Sequence, residues 1–394
     1  MRKLFFSLSL LVFFSACKTG ESYQKIHEDA ILVDSHNDII TTCLTKGYSF
    51  DQDLKGKTYS DLNRMKEGGV DVQVFSIWCD GLQPNPYAYA NRQIDTLYAW
   101  IARNPTKMML VKTPADLMQA VNEHKLASMI GVEGGHMIED KMANLDTLFN
   151  RGARYMTLTW NNPTSWATSA MAETHDTMLH GQAKGLNDFG KQVVKHMNEL
   201  GMMVDLSHVG EQTFWDAINT TTKPVIISHS CVYSLCPVFR NLKDDQIKAV
   251  GKNNGVIQLN FYSGFVDSNF EKHKKIFNEK HKAERDSLLA KNADAYFADD
   301  YLYAKYKDEV QNMRPPLSML LDHLDYIVKL IGVDHVGMGS DFDGSESTPL
   351  GLDGVEDYPK ITKALLERGY SKTDIEKIFG GNFIRVFRAN MPNQ

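Results

Sequence analysis

The chain has 394 residues, 43% of them hydrophobic and 23% charged, an ordinary globular composition with material for a large core. Its formal net charge of −6 argues against a nucleic-acid-binding protein, because there is no cationic excess to neutralise phosphates. The length allows two domains, but α/β barrels routinely use ~250 residues or more as a single unit.

The N-terminus reads as a secretory signal: Arg2 and Lys3, an apolar run from Leu4 to Phe14, then Ser15, Ala16 and Cys17. The apolar run is shorter than the ~20 residues that span a bilayer. Its Phe-Ser-Ala-Cys ending resembles the lipobox of bacterial lipoproteins, which implies cleavage after residue 16 and lipidation of Cys17. Residues 17–30 then read as a tether, and acyl chains on Cys17 would hold the protein to a membrane surface without a spanning helix. The expected address is the bacterial cell envelope, periplasmic or surface-facing. Residues 31–394 are expected to form one domain.

Eight short runs rich in β-branched and apolar residues follow: Ile31–Asp34, Val72–Trp78, Ser128–Val132, Tyr155–Thr159, Met202–Leu206, Val225–Ser228, Val256–Asn260 and His335–Gly339. Several are continuously apolar, as expected of parallel strands buried on both faces. Helical spacing lies between most of them, as in Asn187–Leu200, Gln212–Asn219 and Leu317–Ile331. This β–α alternation predicts a parallel sheet with right-handed crossovers, and eight strands predict a closed (β/α)8 TIM barrel. The alternative is an open doubly wound sheet, but no GxGxxG follows the first run. Residues 268–313, between the seventh and eighth runs, are highly charged with helical spacing. A segment of this length is expected to form helices of its own, either capping the site or solvated. The chain from Tyr358 onward reads as helices packed outside the barrel. Four cysteines, Cys43, Cys79, Cys231 and Cys236, form no CxxC pair, so a zinc ribbon is not expected. An exported compartment permits disulfides, and burial as free thiols is equally open.

Barrel enzymes carry their chemistry at the C-terminal ends of the strands, and here those ends are polar. The first run leads into His36-Asn37-Asp38 and the third into Glu133-Gly134-Gly135-His136. The fifth ends at His208, the sixth at His229, the seventh at Asn260 and Tyr262, and the eighth at Asp341. Each residue alone has an ordinary reading. With 13 histidines, an HxD pair arises by chance, Glu133 could pair with an arginine, and Asp343-Gly344 could simply make a turn. Together, His36, Asp38, Glu133, His208 and His229 make the imidazole and carboxylate set that zinc uses in catalytic sites. Two metals sharing one carboxylate would acidify a common water and polarise a carbonyl.

The motifs DSHND (34–38), GVEGGH (131–136), DLSH (205–208), ISHS (227–230), FRN (239–241), NFY (260–262) and GMGSDFDG (337–344) resemble those of the membrane dipeptidase (renal dipeptidase) family, peptidase family M19. The resemblance runs from about Ile31 to Phe387. It implies a (β/α)8 metallo-dipeptidase with two Zn2+ per chain, His36 and Asp38 on one, His208 and His229 on the other, and Glu133 bridging them. It further implies attack by a metal-bridging hydroxide, with Asp341 moving its proton, and a grip on the dipeptide's C-terminal carboxylate by Arg240. Tyr262 would line the same pocket, and His136 would orient a ligand. Members hydrolyse dipeptides, often accept a D residue on the C-terminal side, and are often dimers. One position departs: many members carry histidine after the fourth strand, at the substrate or the developing oxyanion, and this chain has Trp160. Substrate contact there is expected from Trp160 and Asn161. Two alternatives remain: an amidohydrolase-type enzyme acting on N-acyl amino acids, and a lipoprotein that binds peptides without cleaving them. Many amidohydrolase barrels bridge their metals through a modified lysine on the fourth strand; no lysine stands there here.

Overall fold

A computed structural model describes residues 21–290 and 295–391; the signal-like segment and Cys17 lie outside them. The parallel strands are β1 (Leu32–Asn37), β2 (Val70–Trp78), β3 (Met108–Leu110), β4 (Leu126–Glu133), β5 (Ala153–Thr157), β6 (Met203–Asp205), β7 (Ile226–Ser230), β8 (Val256–Leu259) and β9 (Val336–Met338). Hydrogen bonds run β2-β1-β9-β8-β7-β6-β5-β4, and β4 returns to β2 to close a barrel of eight. The closing seam is regular, from Val72 opposite Ala127 to Trp78 opposite Glu133.

The eight expected runs all become strands, with ends shifted by a few residues. The ninth strand, β3, was not foreseen. Ala127 and Ser128 pair with β2 on one edge of β4 and with β3 on the other. β5 takes over that second edge from Ile130. β3 is therefore a short extension below β5, outside the ring.

Burial on both faces explains the continuous apolar runs. Every residue of β4 is buried. Alternate side chains (Val33, Val72, Val74, Ala127, Met129, Tyr155, Met203, Ile226, Val256) form one cluster with Phe383 and Phe387 of the C-terminal helix Asn382–Asn390. That helix closes the lower end of the barrel. The residues between them, such as Phe75, Ile77, Ile130, Val132 and Met156, pack outward with helix residues including Ile39, Ile94, Leu97 and Leu145. This in-and-out alternation is the two-residue period of a strand.

The outer helices are locally encoded. Asp188–Leu200 starts at Asn187, whose side chain accepts from Gly190 N, and stops at Gly201 in the left-handed region, φ 86°. The described residues of the charged stretch form four helices: Phe270–Lys280, Lys282–Leu289, Ala295–Lys305 and Lys307–Gln311. They have a small core of their own, made by Phe270, Phe277, Leu302, Tyr303, Val310 and Met313. The second half of the expected tether differs from expectation. Tyr23–Asp29 is a helix capped by Ser22. Its His27 is buried, bonded to Thr362 Oγ1 (2.7 Å) and Gly68 O (2.9 Å). Such a short helix is unstable alone, so the docking of Ile26 and His27 is what holds it. The four cysteines within the described residues are buried free thiols. No helix among those residues is long and apolar enough to cross a membrane.

Candidate metal centre

The polar strand ends converge at the upper mouth of the barrel. β1 carries His36 to the centre, and Asp38, just past the end of the strand, is turned to the same side. Asp38 occupies the N-terminal cap of helix Ile39–Lys46 but makes no side-chain cap bond, which leaves its carboxylate to the centre. Asp38 N donates to Phe342 O (2.9 Å) and Asp341 N to His36 O (3.1 Å), so the ends of β1 and β9 are stitched together. His208 and Asp341 both have left-handed backbones, φ 63° and 59°. That conformation is uncommon outside glycine and tends to mark sites where geometry outranks local comfort.

The carboxylate of Glu133 is divided between two groups. Oε2 lies 3.3 Å from His36 Nε2. Oε1 lies 2.9 Å from His208 Nε2 and 3.4 Å from His229 Nε2. The two histidine nitrogens are themselves 2.8 Å apart. On the other flank, His36 Nε2 is 3.4 Å from Asp38 Oδ2 and 4.0 Å from Asp341 Oδ1. Two donor clusters result, His36–Glu133–His229 and His36–Asp38–Asp341, with His208 adjoining the first. All five expected ligands and Asp341 are thus brought together.

The donor set fits a cation. His36 Nε2 and Asp38 Oδ1 are buried with no hydrogen-bond partner, an arrangement that costs free energy unless something else satisfies them. Three imidazoles and two carboxylates converging at these distances are ligand chemistry rather than ordinary core packing.

Electrostatics divides the three imidazoles: burial lowers the His36 pKa, but Tyr155, Glu133 and Asp38 outweigh it and hold it well above the ordinary value. Burial, then the positive Arg240, pushes the His208 pKa down to about 3, despite Glu133. Burial and His36 hold His229 well below the ordinary imidazole value. Both are neutral at pH 7, the ligating form. Burial opposes charge on Glu133, but His36, His208 and His229 outweigh it and keep its pKa well below the usual range. Asp341 behaves oppositely: burial first, then the charges of Asp38 and Glu133, raise its pKa to about 8, against His36 and a bond from Asn260.

A second set of residues aims the ligands. Tyr155, inside the barrel, meets His36 Nδ1 at 2.9 Å with its hydroxyl. Asn161 Oδ1 lies 3.1 Å from His208 Nδ1. Ser228 Oγ lies 2.8 Å from His229 Nδ1 and donates to Asp205 Oδ2 (2.6 Å). Asn260 Nδ2 donates to Asp341 Oδ2 at 2.9 Å. Partners on the far ring nitrogen fix the tautomer and direction of a ligating histidine. Sequence reasoning missed Tyr155, Asp205 and Ser228 in these roles. The DLSH and ISHS strings contained two of them; nothing in the sequence marked Tyr155.

The remaining expected residues are placed as follows. Arg240 is buried near the centre, over the Phe265 ring (5.3 Å) and 3.5 Å from His229 O. Trp160 packs edge-to-face on Trp78 at 5.1 Å and lies 6.4 Å from the His208 ring. Asn161, expected at the substrate, holds His208. Tyr262, expected in the pocket lining, has its hydroxyl committed to Glu271 (2.7 Å) and Glu346 (3.0 Å). With the Lys274–Glu346 pair, it fastens the helical insertion to the barrel mouth. His136, expected to orient a ligand, meets Cys79 Sγ at 3.4 Å.

Comparison with known proteins agrees with this architecture. The model of the membrane dipeptidase family (peptidase family M19) matches residues 21–393. Among solved structures, the probable dipeptidase PvdM from Pseudomonas aeruginosa superposes with a TM-score of 0.75 at 23% identity, covering 93% of this chain and 97% of that one. A metallo peptidase from Rhodobacter sphaeroides, liganded with a phosphinate mimic of the dipeptide L-Ala-D-Ala, gives 0.74 at 21%, covering 92% and 100%. An amidohydrolase from Pseudomonas aeruginosa gives 0.71 at 19%, covering 94% and 99%. At these identities the structural likeness speaks for the fold.

Proposed function

The chain belongs to the membrane dipeptidase family, peptidase family M19, and is a metallo-dipeptidase; we propose that it is a two-zinc enzyme in which His36 and Asp38 hold one ion, His208 and His229 the other, and Glu133 is shared. The observation that carries this reading is the divided carboxylate of Glu133, one oxygen toward His36 and the other toward His208 and His229. Nitrogen and oxygen donors without thiolate suit catalytic zinc. When bound, the ions supply a Lewis acid for the scissile carbonyl and lower the pKa of a water they share.

The chain's own residues do the rest. Arg240 presents a planar fork to the C-terminal carboxylate of a dipeptide. That substrate class is also suggested by the ligand of the Rhodobacter relative, a mimic of L-Ala-D-Ala, and L,D dipeptides belong in the same proposal. Asp341 takes the proton of the attacking water at a carboxylate oxygen. It then returns that proton to the departing amine. Asn260 holds its other oxygen in place. The protein is proposed to be a lipoprotein of a bacterial envelope, anchored through Cys17.

The test is zinc analysis and a substrate screen on one sample. About two zincs per chain and turnover of L,L or L,D dipeptides are expected. No bound metal after reconstitution, or activity confined to N-acyl amino acids, would overturn the reading.

A further inference from the structure

We propose that Trp160 and Trp78 form the wall that receives the N-terminal side chain of the substrate, and that the enzyme therefore selects dipeptides with a bulky apolar or aromatic N-terminal residue. This rests on the dipeptidase reading and on Arg240 as the carboxylate site.

The argument begins with the barrel order, β2-β1-β9-β8-β7-β6-β5-β4 and back to β2. Arg240 follows β7 and packs on Phe265, which follows β8. Trp78 ends β2, and Trp160 follows β5, with β4 between those two strands. Around this ring of eight, β2 stands opposite β7 and β4 opposite β8, with β5 next to β4. The metal ligands lie between. A dipeptide has few rotatable bonds separating its two ends. With its carboxylate on Arg240 and its scissile carbonyl at the centre, its N-terminal residue must fall on the β2/β4/β5 side.

That side is aromatic. Trp160 stands edge-to-face on Trp78 at 5.1 Å and begins 6.4 Å from the His208 ring, so the wall starts at a metal ligand. Both indoles are half-buried, leaving area for a ligand. Gly134, with φ 122°, lies beside Trp160: a Cβ there would strike His136 at 2.4 Å and come into ordinary contact with the Trp160 Cβ at 3.4 Å. Beyond the indoles, the loop after β2 closes on Asn162, where a Cβ on Gly81 would lie 2.5 Å from Asn162 Cγ. This loop holds Leu82 out to solvent, 92% exposed. Its one acid, Asp80, is turned onto the Leu82 backbone N–H at 2.8 Å. No lysine or arginine joins these contacts. An indole has a single donor and no protonatable group, so what Trp160 offers a ligand is chiefly apolar area and an aromatic face.

A few carbons in a hydrophobic site are worth about 10-fold or more in discrimination. The test measures kcat/KM for Ala-Ala, Leu-Ala, Phe-Ala and Glu-Ala on the zinc-loaded full chain. Phe-Ala is expected to exceed Ala-Ala by about 10-fold or more, with Glu-Ala last. Trp160→Ala is expected to bring the Phe-Ala to Ala-Ala ratio near one. Trp160→Leu, which keeps the apolar fill and guards against a misfolded alanine variant, is expected to lower the ratio by a smaller factor. An unchanged ratio in a folded Trp160 variant, or a wild-type preference for Ala-Ala or Glu-Ala, would overturn the proposal while leaving the dipeptidase reading intact. No turnover of any dipeptide by the zinc-loaded wild type would overturn both.

Discussion

Replacing Arg240 separates a substrate clamp from a structural arginine. Arg240 is 6% exposed, yet its contacts are poor. Nη2 reaches His229 O at 3.5 Å, Nε has no partner, and no carboxylate comes within ion-pair distance among the described residues. Burial pushes its pKa down to about 10, with Glu133 and Asp341 opposing, so it stays charged at neutral pH. A bidentate carboxylate would add two charge-assisted bonds, each worth about 1.5–3 kcal/mol. Losing both costs about 3–6 kcal/mol, or roughly 10²–10⁴ in kcat/KM. Arg240→Met, close in length and apolar, is therefore expected to lose that factor on dipeptides with a free C-terminus. On the C-terminal amides of the same dipeptides it should lose much less. Stability should move the other way: a buried charge without an ion-pair partner is costly, so Tm is expected to hold or rise in the variant. Equal losses on acids and amides, accompanied by a fall in Tm, would show that Arg240 braces the fold and refute the clamp.

Asp341→Asn preserves shape and should keep both zincs while losing about 10²–10⁴ in turnover, the usual worth of a general acid–base group; wild-type turnover would remove Asp341 from the mechanism. Tyr155→Phe deletes the hydroxyl at His36 Nδ1 and should weaken zinc binding about 10–100-fold. Competition against a chelator measures it, and unchanged affinity would reduce Tyr155 to packing. Cys17→Ser should abolish metabolic labelling with a fatty acid and release the protein from membranes; label retained on the variant would rule out the lipid anchor.

The ring of strands was legible because two-faced burial writes itself as unbroken apolar runs, and the centre because histidines and carboxylates interrupt those runs at their ends. What was not legible depends on contacts far apart in sequence. β3 is three residues long and reads as a strand only once β4 offers an edge. The helix Tyr23–Asp29 exists through its docking, not its propensity. Tyr155 lies mid-strand in an apolar run, and nothing local distinguishes a tyrosine filling the barrel from one whose hydroxyl reaches His36. The partners of Tyr262 and His136 were hidden for the same reason. Their motifs place them at the mouth, but their actual partners, Glu271 and Glu346 for one and Cys79 for the other, lie on other elements. The left-handed backbones of His208 and Asp341 carry no glycine to announce them.

Two buried aspartates explain how the centre can be rigid although its proposed ligands come from four strand ends. Asp34, two residues before His36, accepts from His36 N (3.3 Å), Ser340 N (2.9 Å) and Ser340 Oγ (2.6 Å). It thereby ties β1 to the residue that precedes Asp341. Asp205, three residues before His208, accepts from Ser207 N (3.0 Å), Thr157 Oγ1 (2.5 Å), Ser228 N (2.9 Å) and Ser228 Oγ (2.6 Å). It thereby ties β5, β6 and β7 together directly beneath His208 and His229. Each carboxylate is a multiple acceptor shared between neighbouring strands, and each stands one layer below the donors it organises. Folding therefore bears the cost of collecting like ligands in one place, and the cation meets a set already aimed. The same logic accounts for the split between the two halves of the mouth. The hub-tied side from β5 through β9 carries His208, His229, Arg240 and Asp341, the groups that must hold position during a reaction. The opposite side is held by the β2–β4 ladder and carries Glu133 together with the Trp78–Trp160 pair.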